Sequence, residues 1–233
     1  MYDILTFNGK SFEDFNTFWD GSQSLGTPEK DVTLYEVAGR NGSLSISNNR
    51  FKNKIVPFNC FIRLDFVKNF SNLMNYLLAQ EGYGRLESST EPDIYRLAQF
   101  INDLDPETGV ELKSGLFTLN FNCMPQKFLK SGEQEIEIDD AATILNPTMF
   151  DAAPLIEVTG TGTININDSV LTLNQNTSTV IIDCQIQDAY EGPINRNTDL
   201  DVLDNKWPKM VSGENQISVD GCTIKIKPRW WRI

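Results

Sequence analysis

The run Asn146-Pro147-Thr148-Met149-Phe150-Asp151-Ala152-Ala153-Pro154-Leu155-Ile156-Glu157-Val158-Thr159-Gly160-Thr161-Gly162 decides how the rest of the chain is read. Pro147 and Pro154 push the residues before them into extended geometry and remove two backbone donors, so no helix crosses this stretch. Leu155-Ile156-Glu157-Val158 then starts a strand, and Gly160 and Gly162 read as the turn that ends it. Upstream lies one good helical pattern; downstream nearly everything alternates with a period of two. The stretch therefore reads as a junction, with residues 1–145 forming one domain and 146–233 a second.

Working back toward the N-terminus, the pattern is mainly β. Ile4-Leu5-Thr6-Phe7 runs into the tight turn Asn8-Gly9, and Phe12, Phe15, Phe18 and Trp19 form an aromatic patch suited to core or lid packing. Val32 to Val37 is a strand, and Asn41-Gly42 after it is a hairpin signal. In Lys54 to Phe66, Phe58, Cys60, Ile62, Leu64 and Phe66 share one face, while Asn59, Phe61, Arg63 and Asp65 share the other. Phe70, Leu73, Met74, Leu77 and Leu78 then give one helical stripe, with Asn69 or Ser71 as the cap and Gly82 as the stop. Ile94–Ile101 and Glu111–Met124 read as paired strands joined by the turn Asp105-Pro106-Glu107-Thr108-Gly109. Residues 131–140 read as an acidic edge strand or connector, with Ile136 and Ile138 inward.

Forward of the junction, short strands are expected at Ile156–Thr159, Thr163–Ile166, Val170–Leu173, Val180–Asp183, Gln216–Val219 and Thr223–Lys227. Asn167-Asp168, Asn174–Thr177, Glu191-Gly192-Pro193 and Asp220-Gly221 supply turns between them. Short strands spaced by turn signals indicate a β-sandwich.

Composition narrows the chemistry. The 233 residues are 40% hydrophobic and 10% aromatic, enough for a real core, and carry a net charge of −12. Residues 1–140 hold 13 basic and 21 acidic side chains (net −8) and residues 141–233 hold 7 and 11 (net −4), so neither part has the basic balance of a phosphate-backbone binder. There is no histidine, which removes His-dependent triads and His-containing zinc sites. Cys60, Cys123, Cys184 and Cys222 are far apart and fit buried free thiols better than disulfides. The first residues show no signal-peptide pattern, and no apolar run is long enough to span a membrane.

Candidate sites fail one by one. Asp103-x-Asp105-x-Glu107 resembles the start of a calcium loop, but Pro106 and Thr108 are unsuited and Ser114 stands where the loop needs Glu. Gly160-Thr161-Gly162 lacks the third glycine and the following helix of a nucleotide loop. The acidic residues lie in polar runs, with no apolar pocket to raise one of them for glycoside chemistry. Asp183, at the end of a hydrophobic strand, is the one acid to check, as a turn cap or a catalytic group. No cofactor, metal or enzymatic activity is expected. Trp207-Pro208 and Trp230-Trp231 fit three readings: sugar stacking, a protein interface, or caps on the open ends of the sandwich. Arg229 and Arg232 beside the tandem indoles permit cation–π stacking. As an alternative function, the tryptophans suit a non-catalytic carbohydrate-binding β-sandwich module.

An ordered series of residues carries a resemblance. It comprises Phe7-Asn8-Gly9, Gly39-Arg40-Asn41-Gly42, Pro92-Asp93-Ile94-Tyr95 and Gly115-Leu116-Phe117-x-Leu119-x-Phe121-x-Cys123-x-Pro125. It continues through Asn146-Pro147, Ala153-Pro154-Leu155-Ile156, Gly160-x-Gly162, Gly213-Glu214-Asn215 and Pro228-Arg229-Trp230-Trp231. In order and spacing, nearly end to end, the series resembles the distal tail proteins of siphophages that infect Gram-positive bacteria. The resemblance implies an N-terminal β domain with one helix that closes into a hexameric ring continuing the tail tube. It further implies a galectin-like C-terminal β-sandwich projecting outward. The implied partners are the tail tube protein, the tail-associated tip protein and, at the periphery, receptor-binding proteins. The resemblance also implies a channel through which DNA passes without specific binding, and residence in the virion after synthesis in the host cytoplasm. A galectin-type sugar site needs a histidine, so none is expected here. A second domain of about 80 to 90 residues is near the minimum for such a sandwich, so no inserted arm is expected. Ring or partner contacts are expected at Arg40, Asn41, Gly42, Trp207, Arg229, Trp230 and Trp231.

Overall fold

The structure, a computed structural model, describes residues 2–22, 26–101, 104, 106–108, 113–174 and 179–233. The Asp103-x-Asp105-x-Glu107 motif, the turn at 105–109, the strand start at Glu111 and the Asn174–Thr177 turn lie wholly or partly outside those residues. Among the described residues the chain is mainly β, with one α-helix, and it divides into two compact units: Met1–Lys127 (with Ile233) and Phe128–Arg232. The division falls earlier than the expected boundary at 145/146. Residues 136–146 form strands that pair within the second unit, which is why the proline-marked stretch lies inside it.

The first unit contains β1 (Leu5–Phe7), β2 (Lys10–Ser11), β3 (Thr17–Trp19), β4 (Lys30–Tyr35), β5 (Leu44–Phe51) and β6 (Lys54–Ile62). The helix α1 (Phe66–Leu78) follows, then β7 (Gly84–Ser88), β8 (Ile94–Phe100), β9 (Glu107–Thr108) and most of β10 (Gly115–Leu129). Its main sheet runs β2-β1-β7-β8-β10-β6-β3. An antiparallel bridge between Asp3 and Trp19 brings the far edge back to the chain just before β1, so the sheet curls on itself. The period-two reading of β6 and β10 holds. Phe117, Leu119 and Phe121 pair with Cys60, Phe58 and Val56, and all six are buried in one core.

Alternation ends sooner than expected. Asp65 adopts a left-handed conformation (φ 50°), which turns the chain out of β6 and starts the helix at Phe66. Leu64 is therefore 65% exposed, and Phe66 enters the core from α1. Asn69 lies in the first turn, where its side chain donates to the Leu64 carbonyl (2.8 Å), and Asp65 makes no side-chain cap bond. Phe66, Leu73 and Leu77 form the buried stripe, with Leu78 66% exposed. Gly115 permits the close fit, since a Cβ there would sit 2.4 Å from the Phe66 ring.

The second unit contains β11 (Ile136–Ile138), β12 (Ala141–Asn146), β13 (Leu155–Ile166), β14 (Ser169–Leu173), β15 (Thr179–Asp183) and β16 (Asp188–Glu191). β17 (Ile194–Asn195), β18 (Leu200–Val202), β19 (Gly213–Lys227) and β20 (Trp231–Arg232) complete it. The expected pairs of short strands are two long ones. Gly160–Gly162 and Asp220–Gly221, read as turns, are bends that lie opposite each other in continuous strands, with a register shift between Gly160 and Thr163. A Cβ on Gly162 would stand 2.0 Å from the Asp220 carbonyl oxygen, so the close approach requires glycine. On one side of the bend β13 pairs β15, and on the other it pairs β14; β19 follows it through both halves. The halves fold over one core that includes Ile156, Val158, Ile164, Ile166, Ile224 and Ile226, all fully buried.

The proline-marked stretch is locked by side chains. Asn146 is 2% exposed; its amide donates to the Phe150 and Met210 carbonyls (3.0 and 2.9 Å) and its Oδ1 accepts from the Thr148 N–H and hydroxyl. Asn215, fully buried, donates to the Val211 and Gly213 carbonyls and accepts from Asn167.

Candidate interaction surfaces

β4 and β5 form a two-stranded sheet of their own, outside the main sheet of the first unit. Val32 and Leu34 pair with Ser47 and Ser45, while Thr33 and Tyr35 pair with Ile46 and Leu44, so apolar side chains stand on both faces. Leu34 is 62% exposed, Tyr35 52% and Ile46 48%. A two-stranded hairpin is marginal alone in water, and contiguous exposed apolar surface marks a binding face. The base is held by ion pairs from Arg50 to Asp31 (2.6 Å) and from Lys52 to Glu29 (3.0 Å), exposed contacts that add little stability. Arg40, Asn41 and Gly42 lie in the exposed loop between the strands, where Gly39 and Gly42 take positive φ and the Arg40 N–H donates to the Val37 carbonyl.

A second surface was not foreseen. Phe18 of β3 pairs with Phe61 of β6, which pairs with Leu116 of β10, forming a row on the side of the sheet away from the core. Tyr2 packs on it with ring centroids 4.9 Å from Phe61 and 5.9 Å from Phe18. The Arg63 guanidinium covers the Tyr2 ring at 4.0 Å. Tyr2 is 48% and Leu116 61% exposed. The signal in the sequence was Phe61 itself, an aromatic on the face that alternation assigns to Asn59, Arg63 and Asp65.

The C-terminal aromatics are placed differently. Trp230 is 5% exposed and belongs to the core of the second unit, where Gly132 lets the backbones approach; a Cβ there would lie 2.3 Å from the Trp230 nitrogen. Trp207 is half-buried against the same core. Trp231 stacks on Phe150 (4.3 Å, 20°) and donates its indole N–H to the Asp151 carbonyl. Arg229 forks onto Asp183 through two bonds of 2.7 and 2.9 Å. The tandem indoles thus cap and fill the second unit, and the guanidinium beside them is spent on Asp183. A flat, open tryptophan platform for a sugar ring is not formed by Trp230.

Asp183, checked as a possible acid, is a buried structural carboxylate. Burial alone raises its pKa, but the bonds and charge of Arg229, with the Gln185 and Ile186 N–H groups, outweigh it and leave the carboxyl below its usual range. It stays ionised at neutral pH and has no proton to give. All four cysteines are free and buried. Burial pushes every thiol up, Cys123 to about 11 and Cys184 to about 12, which holds them protonated and weakly nucleophilic. Among the described residues no cluster of three acidic or cysteine side chains could hold a metal ion, and no helix is long and apolar enough to cross a membrane.

No family model and no curated protein matches the sequence. Solved structures do. The chain is similar to the Dit protein of phage SPP1, described as a paradigm of the hub adsorption apparatus in phages infecting Gram-positive bacteria. The TM-score is 0.75 at 12% identity, covering 97% of this chain and 98% of that one. It is also similar to chains of the phage P2 baseplate in its activated conformation, with Ca (TM-score 0.52, 10% identity, 97% and 98% covered) and with Sr (0.52, 10%, 100% and 99%). At such identities the likeness is one of fold, and from end to end this chain has the fold of a phage tail hub protein.

Proposed function

We propose that this chain is a structural virion protein, the distal hub of a siphophage tail. Copies close into a hexameric ring that joins the tail tube to the tip or baseplate and surrounds the channel for DNA. The observation that carries this reading is the likeness to the SPP1 hub protein over nearly the whole of both chains at a TM-score of 0.75. Fold alone does not fix function, but an oligomeric scaffold also accounts for surface that the fold leaves bare. The β4–β5 hairpin, with Arg40, Asn41 and Gly42 at its loop, is the ring-forming element of the first unit.

The role is carried by shape. An acidic subunit, net −12, suits a channel through which DNA slides without sticking. The tail tube protein binds one side of the ring and the tip protein the other. The second unit, a bent β-sandwich of galectin-like type, faces outward, where receptor-binding proteins attach. Light scattering and negative-stain imaging of the purified full-length chain test this. Annular particles of six copies are expected, and a protein that stays single at every concentration overturns the reading.

A further inference from the structure

The first unit leaves two surfaces open: the β4–β5 hairpin, and the aromatic row across β3, β6 and β10, which Tyr2 covers only in part. They differ in chemistry. On one face the hairpin offers Val32 and Leu34; Glu36, just past the end of β4, is exposed and makes no ion pair among the described residues. The row offers aromatic rings and Leu116, topped by Arg63, a cation held over rings and paired with no carboxylate among the described residues.

A ring of identical copies needs two different surfaces that fit each other, whereas a surface that pairs with itself stops at two copies. These two surfaces meet that need, apolar face to apolar row and carboxylate to guanidinium. A hairpin packed on another hairpin would close at a dimer and leave Arg63 with no acid to meet. Resting on the ring reading above, the geometry points to a head-to-tail contact between copies of this chain. The hairpin of one copy lies across the Tyr2–Phe18–Phe61–Leu116 row of the next, and Glu36 meets Arg63 at the rim. Aromatic rings with an arginine are the composition that dominates binding energy at protein interfaces.

Three full-length proteins test this contact: the unaltered chain, Leu34→Asp and Leu116→Asp. Both positions are more than half exposed (62% and 61%), so neither change empties a core. Mass in solution is read for each protein alone and for an equal mixture of the two variants. The unaltered chain is expected to assemble and each variant alone to remain single. The mixture is expected to stop at pairs, because one sound hairpin and one sound row remain between the two variants. In parallel, Glu36→Arg and Arg63→Glu each weaken assembly, and the double exchange restores it. If Leu116→Asp assembles as the unaltered chain does, or the mixture stays single, this contact is wrong while the ring stands. If the unaltered chain never assembles, the ring reading falls and takes the contact with it.

Discussion

Asn146 spends its side chain on four hydrogen bonds at 2% exposure, two given and two accepted. Truncation to alanine takes one of the two bonds that each of the Phe150 and Met210 carbonyls accepts, and leaves the Thr148 N–H without its acceptor. Leaving buried polar groups unmet costs roughly 1–3 kcal/mol. Asn146→Ala should therefore lower the urea midpoint by an amount equivalent to about 2 kcal/mol, with an unchanged m-value. Asp183 and Arg229 make a second residue-scale case, a buried pair in which removing one partner leaves the other uncompensated. Arg229→Leu is expected to cost about 3 kcal/mol or more in the same measurement. The pair also sets a pH dependence. Asp183 titrates lower folded than unfolded, so its contribution is full above the unfolded value of about 3.9 and drains as pH falls through the lower folded value. Urea midpoints of the unaltered chain should drop across that acid range, and Arg229→Leu should flatten the drop. A drop of equal size in both proteins would contradict the assignment to this pair.

At the scale of elements, the bent strands and the free hairpin carry the consequences. Gly162→Ala drives a Cβ into the Asp220 carbonyl, a backbone atom that cannot swing aside, so β13 and β19 must part at the bend. The cost should be about 1–3 kcal/mol, measured by thermal or urea unfolding of the full chain. The β4–β5 hairpin, two strands with no second layer, should open more readily than the main sheet. Brief protease treatment of unassembled protein should cut first between Glu36 and Ser43, and assembly should protect that loop.

What was legible depends on range. Period-two alternation along Val56–Ile62 and Phe117–Cys123 and the helical stripe of Phe70, Leu73, Met74 and Leu77 are local signals, and they held, while Leu78 at the end of that stripe is exposed. Leu64 was misplaced because a single left-handed residue, Asp65, ends an alternation that composition would continue. The two prolines do force extended backbone, but that is a local statement. Only the pairing of residues 136–146 with β19, far along the chain, puts them inside the second unit. Gly160 and Gly221 look like turns one at a time, and facing each other they bend a ladder instead.

For the whole molecule, function shows in what the fold leaves uncovered. The hairpin loop could be read from Asn41-Gly42, yet Val32, Leu34 and Tyr35 look the same in sequence whether a second layer covers them or not. Trp230 gave the opposite lesson, an apparent platform that fills a core. The order of short motifs carried the hub resemblance, and the fold likeness across 97% of the chain agrees with it. The central claim is that copies of this acidic chain close into a ring through the first unit. Multi-angle light scattering of the unaltered protein, with imaging of the same sample, tests it most directly. A discrete species of six copies of the 26.4 kDa chain with an open centre is predicted. A mass of one copy at every concentration, with no annular particles, would contradict it.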